Sequence, residues 1–160
     1  MAVFPCAALD LSKAVVVVPP NLSATERKAV TMLVEEVEKR THIHLEGSTN
    51  WPSSSTAVIA IGPASALDSF GGKYTKELSR DRGVKGAEGY RIRIKKSKDA
   101  PVVFIIGNDS RGVMFGVGAD VITRGWLRAS FQVSTGTLAA QTAAARDQTV
   151  TDGRFDLGVA

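Results

Sequence analysis

A chain of 160 residues, 44% of them hydrophobic, is long enough for one compact domain with a real core and too short for two comfortable ones. Twenty Lys and Arg against 16 Asp and Glu give a net charge of +4, which would help association with a polyanion without demanding one. The single cysteine, Cys6, excludes an internal disulfide, and the strand-sized apolar runs exclude a transmembrane helix, so no membrane partner is expected. Met1 to Cys6 lacks the basic and apolar regions of an intact signal peptide.

The first element is a β-branched strand, Ala14 to Val18, stopped by Pro19 and Pro20. Ser23 and Glu26 then form an S-x-x-E capping box, and Val30, Leu33, Val34 and Val37 recur at helical spacing, so a helix follows with one apolar stripe. Glu35 and Lys39 stand one turn apart on its other side and are expected to pair. The alternation of His42-Ile-His-Leu-Glu46 predicts a strand with Ile43 and Leu45 inward. Asn50 to Thr56 reads as loop, Ala57 to Gly62 as a continuous apolar strand, and a short helix begins near Pro63. Gly71 to Gly89 is polar and Gly-rich, and a long surface loop is expected there.

Tyr90 to Lys96 alternates strictly, with Ile92 and Ile94 on one face and Arg91, Arg93 and Lys95 on the other. Val102 to Gly107 is a further continuous apolar strand, and a helix from about Ser110 to Arg124 follows. The order implies an α+β sandwich: a mixed sheet whose apolar strands are central, whose alternating strands are edges, and whose two main helices pack on one face. The second sheet face has no obvious cover, and such a face would favour self-association or a missing neighbour. Beyond Trp126 no period is sustained, so residues 127–160 read as an irregular tail with one strand near 131–133, and residues 1–12 as a leader to a domain over 13–126.

The chemistry-bearing patterns are incomplete. In Gly107-Asn-Asp-Ser-Arg-Gly-Val-Met-Phe-Gly-Val-Gly118, Val113 and Met114 occupy the Lys and Ser/Thr places of a P-loop, and Ala119-Asp120-Val121 after Gly116-Val-Gly118 breaks a dinucleotide fingerprint. A nucleophile elbow fails at Asn108. Gly112 and Gly116, one turn apart, instead make a shallow face for close packing against a sheet, and no nucleotide or other cofactor is expected. His42, His44 and Glu46 would share a face on a strand and could chelate zinc, but no further ligand is evident and no metal is expected. Arg91, Arg93 and Lys95, joined by Lys96, Lys98 and the loop cations Lys73, Lys76, Arg80, Arg82 and Lys85, could form a cationic patch. Only Tyr74 and Tyr90 offer stacking platforms nearby, so a solvated face or an acidic partner is expected in place of nucleic acid. No Asp–Glu pair follows a strand, and no catalytic constellation is visible.

Taken in order over about residues 13 to 120, the capped helix, Trp51 with Ala57 to Gly62, Glu88 to Ile94, and the apolar strand leading into Gly107-Asn108-Asp109-x-Arg111-Gly112-Val113 form a pattern. It resembles the non-catalytic N-terminal domain that precedes the catalytic barrel in family 20 β-N-acetylhexosaminidases and family 67 α-glucuronidases. The resemblance implies an α+β sandwich seated against a (β/α)8 barrel as its partner, with the acid/base residues in that barrel and none in this chain. Arg111, with Asn108 and Asp109, is the expected interface or structural site, its guanidinium placed at the helix start where it can bridge backbone carbonyls.

Overall fold

The computed structural model describes residues 8–81, 83, 85–96, 100–118, 127–132, 135–141 and 148–150. Its centre is the helix that the capping box announces. α1 spans Ala24–Thr41, with the Ser23 side chain accepting from the Glu26 N–H and the Glu26 carboxylate accepting from the Ser23 N–H. Ala29, Leu33 and Val37 are buried, and Val30 and Val34 pack beside them. Lys39 pairs with Glu36 rather than Glu35, at 3.8 Å, and Arg40 reaches the same carboxylate at 3.0 Å.

The other elements are strands β1 (Ala8–Asp10), β2 (Val15–Val17), β3 (Glu46–Ser48), β4 (Val58–Pro63), β5 (Tyr90–Lys96), β6 (Pro101–Gly107), β7 (Leu127–Gln132), β8 (Thr135–Gln141) and β9 (Gln148–Val150), with helices α2 (Leu67–Phe70), α3 (Thr75–Arg80) and α4 (Ser110–Phe115). A six-stranded mixed sheet runs β3-β2-β4-β6-β5-β9, parallel from β3 to β6 and antiparallel beyond. The apolar strands β2, β4 and β6 are interior, as the sequence predicts, whereas the edge strand β3 is Glu46–Ser48 and not the alternating strand expected from His42. The alternating β5 is not an edge, because β9 pairs along it. A second sheet, β1-β8-β7, is antiparallel and lies against α1.

Alternate strand residues serve two cores. Val16, Ile59, Ile61, Ile92, Val103 and Ile105 pack under α1 and α4. Val17, Val58, Ala60, Val102, Phe104 and Ile106 face the other way. That second face is not open: Leu67 and Phe70 of α2, Leu78 of α3, and Trp51 and Tyr74 cover it. Expecting an uncovered face available for self-association is therefore corrected. The cover comes from the stretch 71–89 read as loop, where α3 forms around one buried apolar residue, Leu78. Six residues with a single anchor make too short a helix for periodicity to register.

The backbone between 127 and 150 also departs from an irregular tail, since it carries β7, β8 and β9. β8 pairs with β1, so part of the expected leader and part of the expected tail lie side by side. The expected extension of the last helix to Arg124 falls outside the described residues, apart from one wider turn over 116–118. Among the described residues no helix is long and apolar enough to cross a membrane.

Candidate functional site

The Gly107–Gly118 segment closes the C-terminal end of β6. Asn108 and Asp109 make the turn, and Asp109 caps α4 from extended backbone (φ −145°, ψ −174°). One carboxylate oxygen of Asp109 accepts from the Gly112 N–H at 2.7 Å and the other from the Glu88 N–H at 3.0 Å. Asn108 donates through Nδ2 to the Gly86 carbonyl at 2.7 Å, and its backbone N–H donates to Gly89 at 2.7 Å. The Arg111 guanidinium pairs with the Glu88 carboxylate and not with backbone carbonyls, and its side chain stays 73% exposed. All three residues singled out in the sequence thus grip one loop, 86–89, in which Glu88 has a left-handed backbone (φ 64°).

The same turn reaches the other main helix. Ser110 Oγ donates to Glu26 Oε1 at 2.8 Å, and Ser23 Oγ donates to Ser110 Oγ at 3.1 Å. Glu26 is buried, so the capping residues of α1 and the first turn of α4 share one network. Burial acts to push the Asp109 carboxyl up, but the N–H donors of Glu88, Gly112 and Arg111 and the charge of Arg111 outweigh it and hold the group below its usual range. The Gly112 N–H, which an anion would need at this turn, is already donated to Asp109. The arrangement tethers a loop and ties the starts of α1 and α4 together. Asp109→Ala is expected to cost about 1–2 kcal/mol, because the cap and the Glu88 contact are lost together. Thermal or urea unfolding measures it, and an unchanged midpoint would mean that the tether carries no stability.

Arg91, Arg93 and Lys95 do share a face of β5, but it is not a solvated one. Arg91 and Arg93 are 5% and 7% exposed, beneath α3 and its C-terminal cap, Asp81. Arg93 Nε donates to Asp81 at 2.6 Å, Lys95 pairs with Glu77 at 2.8 Å, and Arg91 donates to the Leu78 carbonyl at 3.3 Å. The free cationic strand is thus corrected: alternation found the face, but Leu78 draws α3 over it and supplies two carboxylates. Arg82 and Lys98 lie outside the described residues.

Burial lowers the Arg91 pKa, against the field of Asp81 and helped by that of Arg93, and its Nε is buried without a hydrogen-bond partner among the described residues. An orphaned donor beside a like charge is costly, so Arg91→Met is expected to leave stability unchanged or raise it by about 1 kcal/mol. A denaturation midpoint lowered by more than that would assign Arg91 a contact worth more than its burial cost.

The strand geometry behind the His42, His44 and Glu46 reading does not form. His42 ends α1 as a left-handed cap (φ 57°), residues 43–45 precede β3, and His44 Nδ1 lies 2.9 Å from Glu38. Among the described residues no group of three His, Cys, Asp or Glu side chains could hold a metal.

Sequence reasoning missed a cleft of about 250 Å³ at the opposite, N-terminal end of β4 and β6. Trp51, Lys73, Tyr74 and the hydroxyl run Ser53 to Thr56 line it, with Val58 and Val102 at its base. Trp51 and Tyr74 lie 23 positions apart in stretches that read as loop, so nothing local joins them. A lone Trp before Pro-Ser-Ser-Ser was the one available signal.

No protein family matches the sequence, and no curated protein matches it either. Solved structures do resemble it. CpGH84D shares 12% identity with a TM-score of 0.51 over 84% of this chain and 21% of its own. The Flavobacterium johnsoniae chitobiase FjGH20 is 12% identical, with a TM-score of 0.44 over 89% of this chain and 18% of its own. BtGH115A, a family GH115 4-O-methyl-α-glucuronidase with specificity for decorated arabinogalactans, is 14% identical, with a TM-score of 0.45 over 69% of this chain and 13% of its own. The neighbours are glycoside hydrolases, the likeness concerns the fold, and the chain spans about a fifth or less of their length.

Proposed function

We propose that this chain is a non-catalytic accessory domain of a glycoside hydrolase of hexosaminidase or α-glucuronidase type, seated against a (β/α)8 barrel that does the chemistry. The observation that carries the reading is the fold shared with a segment amounting to 21% of CpGH84D. Two others support it. A barrel takes about 250 residues, more than this chain has. The sequence motif that invites a catalytic reading spends its polar groups on an internal loop. On this reading Arg111, exposed at the head of α4 and paired with Glu88, is the side chain that would meet the barrel.

The alternative, a free-standing module binding acidic polysaccharide or nucleic acid through Arg91, Arg93 and Lys95, is disfavoured by the burial of both arginines. Assays of the purified chain on aryl N-acetylglucosaminides and aryl glucuronides test the proposal. Release of the aryl group at the buffer rate is the expected result. Enzymatic turnover that follows the folded chain through purification would overturn it.

A further inference from the structure

The cleft at the N-terminal ends of β4 and β6 is built rather than incidental. Its Trp51 indole is fixed, because Nε1–H donates to the Phe70 carbonyl at 3.0 Å. Gly72 lies against the same ring with a left-handed backbone (φ 54°), so closely that a side chain there would overlap the indole. Tyr74 meets Phe104 edge-on at 5.6 Å and Trp51 at 6.5 Å, so both aromatic walls rest on the second core. The loop from Ser53 to Thr56 lines the same cleft with hydroxyls, Ser54 Oγ and Thr56 Oγ1 sharing a hydrogen bond at 2.7 Å. Lys73 brings a cation, its Nζ 5.3 Å from the centre of the Tyr74 ring.

We infer that this cleft binds one ring of an acidic saccharide, a hexuronate unit. A pyranose offers C–H faces that suit fixed aromatic walls and equatorial hydroxyls that suit a Ser/Thr run, and a C6 carboxylate suits the ammonium of Lys73. The volume, below the roughly 300–1,000 Å³ of drug-sized sites, favours a single ring. A neutral nucleobase would use the aromatic walls but leave the Lys73 ammonium without an anion. The site lies at the other end of the sheet from Asn108, Asp109 and Arg111, and it holds whether or not the domain docks on a barrel.

Titration calorimetry with tri-galacturonate and its neutral methyl ester, on the whole chain, tests it. The acid should bind with a dissociation constant of about 1 mM or below. Lys73→Met, a change at an exposed position, should weaken the acid about tenfold and leave the ester untouched. Ser54→Trp should fill the cleft and abolish binding of both, with the unfolding midpoint unchanged. Absence of binding by the wild-type chain, equal affinity of acid and ester with no effect of Lys73→Met, or full binding by Ser54→Trp would each overturn the assignment.

Discussion

Gly112→Ala is expected to destabilise the domain by about 3 kcal/mol, lowering its unfolding midpoint by roughly 10 °C. On a free helix the same change is favourable by about 1 kcal/mol, because Ala loses less backbone entropy than Gly. Packing reverses the sign. A Cβ on Gly112 would overlap the Gly89 carbonyl oxygen, a backbone atom held by the Asn108 N–H. The added methyl must therefore move either α4 off β6 or the 86–89 loop off Asn108. Gly118→Ala serves as the control, since among the described residues a Cβ there meets nothing closer than Met32 Cε at 3.9 Å, and its effect should stay within about 0.5 kcal/mol. Equal effects of the two substitutions would show that glycine's flexibility, not its size, is what α4 needs.

The second large effect is expected at Asp81. Asp81→Ala removes from beside Arg93, and from Arg91 behind it, the carboxylate that Arg93 Nε donates to. Removing one partner of a fully buried pair costs roughly 3–5 kcal/mol. The Asp81 side chain keeps 37% exposure, so water screens part of the loss and about 2–3 kcal/mol is expected. The pH dependence follows from the same contact. The hydrogen bond from Arg93 outweighs the upward push of burial and, with the Arg93 charge, the Gly83 N–H and the Arg91 charge, holds the Asp81 carboxyl below its ordinary value.

A depressed carboxyl pKa contributes stability that is complete above the unfolded value, near pH 4, and lost as pH falls through the folded value. Asp10, held down chiefly by the Ser12 N–H, and Asp109 act in the same direction. Unfolding midpoints measured from pH 6 down to pH 2 should therefore fall below about pH 4, and less steeply in Asp81→Ala. An acid limb of identical slope in the variant would mean that Asp81 titrates normally and that the arginines are solvated.

Much of this architecture is legible in the sequence because it rests on local signals. Ser23 and Glu26 mark the start of α1, the Val and Ile runs mark the interior strands, and the alternation of Tyr90 to Lys96 assigns two faces correctly. What is hidden depends on partners distant in the chain. Whether Arg91 and Arg93 face water is decided by α3, and α3 by Leu78 finding the floor made by Phe104 and Ile106. The strands β7 to β9 carry small and polar residues without a period, and their pairing with β1 and β5 sets them in place.

The Asn108–Asp109–Arg111 cluster stands between these cases. Its spacing was visible, but its target, the loop 86–89, has no sequence mark beyond two glycines. The cleft was hidden for the same reason, since Trp51 and Tyr74 come together only once the chain has folded over Phe104.

The central claim, that this domain serves a glycoside hydrolase whose chemistry lies in a neighbouring barrel, is tested most directly in the gene. Genomic DNA beyond the codon for Ala160 should continue in frame for about 250 residues of alternating strand and helix patterns, with paired carboxylates at strand ends. A stop codon there, with no such barrel encoded beside it, would contradict the claim and leave the domain to act by itself, with the aromatic cleft as its working surface.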